Sequence, residues 1–273
     1  MERRFNATKH LTFMANPAYG LIDIHSHILH AVDDGPKTWE DSIEMLRIAH
    51  EAGTTDIVAT PHADHRYTYQ PERIAESIEA LNAAGGPRVH RGCDFHLSFD
   101  NLSIALREPS RFSINAGRYL LVEFPDANIS RATASIFQEL LNVGLVPVIT
   151  HPERNAMLRN RVADLRTWVE HGALIQITAD SLTGDFGKNA HQFSLTLLRE
   201  NLVHFVASDA HGIRHRRPDL RAALAFIESR FGADVAKRLF HSNPQAVIES
   251  RPLPKREAPH STHSKGAFSW FGL

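Results

Sequence analysis

Seven short runs of apolar and β-branched residues recur between residues 21 and 207, and helix-patterned stretches separate most of them. The runs are LIDI (21–24), DIVAT (56–60), RVHRGC (88–93), YLLVEF (119–124), LVPVIT (145–150), ALIQIT (173–178) and VHFVA (203–207). Most are apolar at successive as well as alternate positions, the pattern of parallel strands covered on both faces. Helices are predicted over 38–52, 71–84, 101–107, 130–143, 160–171, 187–200, 218–231 and 233–241. Thr38 with Asp41 three places on reads as a capping-box-like start, and Gly53, Gly144 and Gly172 stand where helices should stop. Strands alternating with helices, without a Gly/Pro/Ser-rich linker, predict one α/β domain over 21–250. A (β/α) barrel is favoured over an open doubly wound sheet, because the glycine-rich phosphate loop of the common nucleotide-binding open sheets is missing. Residues 1–20 read as an N-terminal extension and 251–273 as a flexible tail, with the terminal FSWFGL as a frayed end.

The ends of these runs carry the chemistry. The first leads into His25 and His27, and Asp34 follows; the second leads to His62 and the third to Asp94. The fourth reaches Glu123, the fifth His151, and the seventh Asp209 and His211. In a parallel α/β barrel these C-terminal ends share one face, where active sites are built. Residues two apart on an extended segment point the same way, so each His-x-His or Asp-x-His pair can reach one site. Any one of these residues has an ordinary structural use, as a hydrogen-bonded histidine or a turn aspartate. Their recurrence at six separate strand ends points to a metal centre, with N and O ligands suited to Zn²⁺, Mn²⁺ or Fe²⁺. Asp33 reads as a helper or turn residue, and His65 and His96 as outer or substrate-side groups.

Composition narrows the remaining classes. The 30 basic and 31 acidic residues leave no electrostatic reason to expect nucleic-acid binding. No apolar run approaches the about 20 residues of a membrane span, and no signal-peptide core is present, so a cytoplasmic protein is expected. The single cysteine, Cys93, has Phe99 rather than arginine six residues on, which argues against a cysteine phosphatase and for a buried structural residue.

DIHSHILHAVDDGPKTWEDS, VATPH, LLVEFP, PVITHPERN and ENLVHFVASDAHGIRHRRP occur in that order over residues 21–248. Together they resemble the PHP (polymerase and histidinol phosphatase) superfamily and, more narrowly, its bacterial CpsB/YwqE-type protein-tyrosine phosphatases. The resemblance implies a distorted (β/α)₇ TIM-like barrel with three divalent ions, Mn first and Fe or Zn as alternatives. It assigns one ion to His25, His27, Asp94 and Asp209. A second would share Asp94 and add Glu123 and His151, and a third would take Asp34, His62 and His211. Arg154 matches a phosphate-contacting arginine, and Arg216 another, with Arg217 as its rival. The chain departs from the family at Asp94, where a GGE-like sequence usually places glutamate. The implied activity is phosphotyrosine hydrolysis by metal-activated hydroxide, regulating capsule or exopolysaccharide synthesis. The implied partner is the phosphorylated tyrosine-rich tail of a bacterial tyrosine kinase. The competing readings are a phosphoesterase acting on a small metabolite such as histidinol phosphate, and a non-catalytic metal-binding regulator.

Overall fold

The apolar runs become strands that helices cover on one side. In the computed structural model, which describes residues 19–254, β1 spans Leu21–Ser26, β2 Thr54–Ala59, β3 His62–Ala63, β4 Arg88–Arg91 and β5 Asp94–His96. Then come β6 Tyr119–Glu123, β7 Val146–Thr150, β8 Leu174–Thr178 and β9 Phe205–Ala207. One sheet has the order β1-β2-β4 and the other β3-β5-β6-β7-β8-β9, with every pairing parallel.

Two predicted runs end early, at Ala59 and Arg91, and are followed by the short unpredicted strands β3 and β5. Thr60-Pro61 separates β2 from β3, and Gly92-Cys93 separates β4 from β5. Pro61 has no N–H to give to a ladder. Gly92 must be glycine, because a Cβ there would sit 2.7 Å from Val58 Cγ1. Hydrogen bonds from Gly92 N to Ala59 O (2.9 Å) and from Asp94 N to Pro61 O (3.1 Å) carry the pairing across both interruptions. At the far edge, an isolated parallel bridge joins Ser26 to Ala210.

The helices are α1 Trp39–Glu51, α2 Pro71–Ala84, α3 Phe99–Arg107, α4 Thr133–Asn142, α5 Val162–Glu170, α6 Ala179–Thr183, α7 Gly187–Arg199, α8 Arg221–Phe231, α9 Ala233–Lys237 and α10 Asn243–Ile248. The Thr38 side chain accepts from Asp41 N, as the spacing predicts. The expected start at Ser130 is corrected to Thr133. Ser130 instead closes a turn, its Oγ accepting from Ala132 N and its carbonyl from Thr133 Oγ1. The short helices α6 and α10 are not among the predicted ones. Among the described residues, no helix is long and apolar enough to cross a membrane.

Two apolar clusters result. The larger lies between helices and strands, uniting Met45, Leu46, Phe137 and Trp168 with Ile57, Leu120, Val122, Ile149 and Val206. The smaller takes the alternate strand residues Ile22, Ile24, Val58, Tyr119, Leu121, Val148, Phe205 and Ala207. At the chain ends, the Tyr19 ring packs on His241 at 5.3 Å, and Tyr119 Oη donates to Arg251 O. The rest of the expected extension and tail, FSWFGL included, lies outside the described residues.

Candidate metal centre

The inner row of strand residues changes character at the C-terminal ends. Tyr119 and Leu121 are apolar and the next inward position is Glu123; after Phe205 and Ala207 it is Asp209. On β4–β5 the same row passes through Gly92 to Asp94. β1 departs from this regularity, because Ile22 and Ile24 already occupy the inner row. Its register shifts between Asp23 and Ser26, an irregularity that re-aims His25 and His27. His151 is turned in by a positive φ of 32°, and Asp209 has φ 50°. Non-glycine residues in this region are strained, and such strain concentrates at functional sites.

The result is a knot of imidazoles and carboxylates, buried at His25, His27, Asp94 and Asp209 and partly exposed at Asp34 and Glu123. His25 Nε2 lies 3.4 Å from Asp94 Oδ2 and 3.4 Å from Asp209 Oδ1. His27 Nε2 lies 3.3 Å from His25 Nε2 and 3.4 Å from Asp209 Oδ1. His62 Nδ1 is 3.4 Å from Asp94 Oδ2 and 3.6 Å from Glu123 Oε2, while its Nε2 is 3.5 Å from Asp34 Oδ1. His151 Nε2 stands 3.9 Å from Asp94 Oδ2 and 3.8 Å from Glu123 Oε1, and His211 Nε2 lies 3.3 Å from Asp34 Oδ1. All nine ligand-type residues read from the sequence meet here.

Their ligand atoms fall into overlapping sets, each within 4.8 Å: His27, Asp34, His62 and His211; His25, His27 and Asp94; His25, His151 and Asp209; and His62, Asp94 and Glu123. The sets overlap the expected triple division without reproducing it, since His62 also joins Asp94 and Glu123, and His151 joins His25 and Asp209 instead of Asp94 and Glu123. The shorter carboxylate of Asp94 still places one oxygen near the rings of His25, His62 and His151.

A cation fits this arrangement. Asp94 Oδ2 and His62 Nδ1 are buried with no hydrogen-bond partner, and orphaned polar atoms of this kind are costly unless something satisfies them. The outer ring nitrogens are fixed by neighbours. His27 Nδ1 donates to Asp33 Oδ2 at 2.7 Å and His25 Nδ1 to Gln176 Oε1 at 3.0 Å. His211 Nδ1 donates to the Asp209 carbonyl at 2.9 Å. Each bond fixes its ring with Nε2 turned toward the cluster, the orientation in which metal-ligating histidines are held.

The same contacts set the charges. Burial opposes protonation of His27, yet Asp33 and Asp209 hold it up to about 10. Burial also works against the charged forms of Asp94 and Asp209, but His25 and the surrounding cations outweigh it and hold both well below the usual carboxylate range. His211 is pushed down to about 4 by burial and by His27. The pocket is thus built to keep its carboxylates ionised.

Both candidate phosphate arginines reach the outer oxygen of Asp209. Arg154 Nη1 donates to Oδ2, and Arg216 Nη2 does so at 2.6 Å. Arg217 makes no such contact with Asp209. Asp33 proves to be both helper and turn residue, with Oδ1 accepting from Gly35 N at 3.0 Å and Oδ2 from His62 N at 3.1 Å. A Cβ on Gly35 would lie 2.4 Å from His27 O, so only glycine lets this loop close under the histidines. His96 stands 3.7 Å from Glu123, whereas exposed His65 has no contact with the cluster. Cys93 is fully buried, and burial pushes its thiol well above the usual range, consistent with an inert structural residue.

Sequence reasoning missed three supporting residues. Gln176 stands mid-strand in β8, the one strand expected to give no ligand. Buried Asp23 accepts from His25 N at 3.3 Å and Ser208 N at 3.0 Å, tying β1 to the segment after β9. Buried Glu153 accepts from Thr178 N at 2.8 Å and Ser181 Oγ at 2.7 Å, fixing the end of β8. Asp23 and Glu153 stand inside the DIHSH and HPER motifs, which was the available signal.

Residues 21–249 match the family "Capsular polysaccharide synthesis, CpsB/CapC". Staphylococcus aureus CapC is 41% identical over 260 residues, covering 93% of this chain and 100% of that protein. The tyrosine-protein phosphatase YwqE of Bacillus subtilis is 35% identical over 259 residues, covering 92% and 100%. A chain from the crystal structures of B. subtilis YwqE and Streptococcus pneumoniae CpsB, metal-dependent tyrosine phosphatases, superposes with a TM-score of 0.80 at 36% identity, covering 86% of this chain and 97% of that one. A Fervidobacterium islandicum β-aspartyl dipeptidase shares the fold alone, with a TM-score of 0.52 at 15% identity, covering 84% of this chain and 75% of that one. The chain belongs to the CpsB/CapC family of capsular polysaccharide synthesis.

Proposed function

We propose that this protein is a metal-dependent protein-tyrosine phosphatase that regulates capsule or exopolysaccharide synthesis. The carrying observation is the meeting of nine N and O ligand-type residues with two arginines at the rim. We further propose that the two sheets, linked across the β2/β3 and β4/β5 interruptions and by the Ser26–Ala210 bridge, form a distorted (β/α)₇ barrel of the PHP type. In this reading residues 21–250 are the catalytic domain.

The proposed metal ligands are His25, His27, Asp34, His62, Asp94, Glu123, His151, Asp209 and His211, holding three divalent ions, Mn before Fe or Zn. Such ions, when bound, lower the pKa of coordinated water toward neutrality and neutralise phosphate charge. Asp33 and Gln176 keep the His27 and His25 rings oriented with Nε2 inward. Arg154 and Arg216 are planar donors whose fork matches phosphoryl oxygens, so they bind and orient the phosphate at the rim beside Asp209. A tyrosine leaving group makes a modest demand on such a site, because a phenol with pKa about 10 departs with less proton assistance than an alkoxide. The proposed substrate is the phosphorylated tyrosine-rich tail of a bacterial tyrosine kinase, met in the cytoplasm.

The metabolite reading uses the same residues, but the relatives give it no support. Hydrolysis of a phosphotyrosine peptide and of histidinol phosphate by the Mn²⁺-loaded protein separates the two. A larger kcat/KM for the peptide is expected. Preference for histidinol phosphate would replace the proposed function, and metal-replete protein inactive on both would favour the regulator.

A further inference from the structure

Phe186 occupies a place that the chemistry above does not use. It lies in the turn between α6 and α7, flanked by Gly184 and Gly187 at positions 184–187, GDFG. Gly184 has φ 95° and Gly187 φ 83°, while a Cβ at either would meet nothing within 4 Å. These glycines therefore serve backbone conformation rather than packing. The turn delivers a half-buried ring to two cations from distant parts of the chain. Its centroid is 4.2 Å from the guanidinium carbon of Arg154 and 5.8 Å from that of Arg216. Both lie within the about 6 Å over which a ring face attracts a cation.

The two arginines are like-charged, and both reach the same oxygen of Asp209. One carboxylate oxygen fixes where their tips meet but not the planes of the two guanidinium groups. The shared aromatic surface supplies that second restraint, at little entropic cost because the ring has only two side-chain torsions. Phe186 also lines a cavity of about 520 Å³ with Asp180, Thr183, Arg214 and Arg216, so its ring borders open space beside the rim.

We infer that Phe186 is a positioning residue that holds Arg154 and Arg216 side by side for a phosphoryl group. The inference rests on reading those arginines as phosphate contacts.

Its test uses the Mn²⁺-loaded full chain, with inorganic phosphate affinity from calorimetry and kcat and KM for a phosphotyrosine peptide. The variants are Phe186→Leu and Phe186→Tyr, with Phe186→Leu also made in an Arg154→Ala background. Phe186→Leu should weaken phosphate binding and raise KM about ten-fold, while Phe186→Tyr stays within about two-fold. In the Arg154→Ala background, the leucine substitution should cost no more than about two-fold. Equal losses in both backgrounds, or no loss in the wild-type background, overturn the inference. If Phe186→Leu loses its fold or its metal, Phe186→Met carries the same comparison. Wild-type protein that binds phosphate but leaves the peptide intact defeats the proposed substrate, while calorimetry still judges Phe186. Phosphate affinity unchanged by Arg154→Ala defeats the arginine assignment and this inference together.

Discussion

The two ends of the same strands obey opposite rules. Along most of their length, the inner row carries Ile22, Ile24, Val58, Leu121, Val148 and Phe205, which exclude water and carry no charge. At the C-terminal ends, that row becomes imidazole and carboxylate, buried at Asp94 and partly exposed at Glu123, with Asp94 Oδ2 and His62 Nδ1 left without hydrogen-bond partners. Apolar side chains at one pole contribute stability directly, whereas the polar pole depends on what it binds. The difference shows why α/β proteins of this kind tolerate a demanding site: the apolar length of each strand stabilises the scaffold on which the charged ends sit.

The largest effect should come from Asp94, whose Oδ2 faces three histidines. Asp94→Ala should lower kcat/KM by about 10³-fold or more and reduce bound metal, because several kcal/mol of charge stabilisation go with it. Metal analysis beside steady-state kinetics checks this; full metal content with near-normal turnover would break the contrast between the poles. Leu121→Ala should do the reverse. Denaturant unfolding should show a loss of about 2–5 kcal/mol, while the folded fraction keeps its metal and its turnover.

A third substitution probes how the polar pole is supported. Asp33→Asn leaves an amide beside His27 Nδ1 and removes the carboxylate that raises the ring's basicity. A loss of about 10–100-fold in metal affinity or activity is expected, measurable by competition with a chromogenic chelator. The smallest effect concerns Asp180, outside the ligand cluster. Burial first, and then Asp185, raises its carboxyl to about 6 from 3.8. Since the folded pKa lies above the unfolded one, ionisation costs stability as pH climbs from about 4 through about 6. Asp180→Asn should flatten that part of the stability–pH curve, by roughly 1 kcal/mol once solvent screening of this half-buried group is allowed for. An unchanged curve would show that Asp180 titrates alike in both states.

The same contrast explains what was legible in the sequence. Strands were legible because apolar runs bounded by turn residues need only local pattern, and Thr38 with Asp41 marked a helix start for the same reason. The ligand-type residues were legible because they stand at strand ends, a position that topology converts into proximity. Gln176 and Glu153 were not, since each is defined by a partner 151 or 25 residues away. The strands β3 and β5, which resume after Thr60-Pro61 and Gly92-Cys93, were missed because with 2 and 3 residues they are too short to show an alternating pattern. The re-aiming of His25 and His27 was hidden for a related reason. Their alternate spacing gives a shared direction, but only the β1 irregularity decides whether that direction is inward. α6 and α10, with 5 and 6 residues, are too short to show helical periodicity.

The most direct measurement strips the full chain with a chelator and follows phosphotyrosine-peptide hydrolysis before and after Mn²⁺ is returned, with bound metal counted at each stage. Loss of activity on stripping and recovery in step with bound metal is the predicted result. Folded protein that binds no metal, or stripped protein that still hydrolyses the peptide, would contradict the reading of these histidines and carboxylates as a catalytic metal centre.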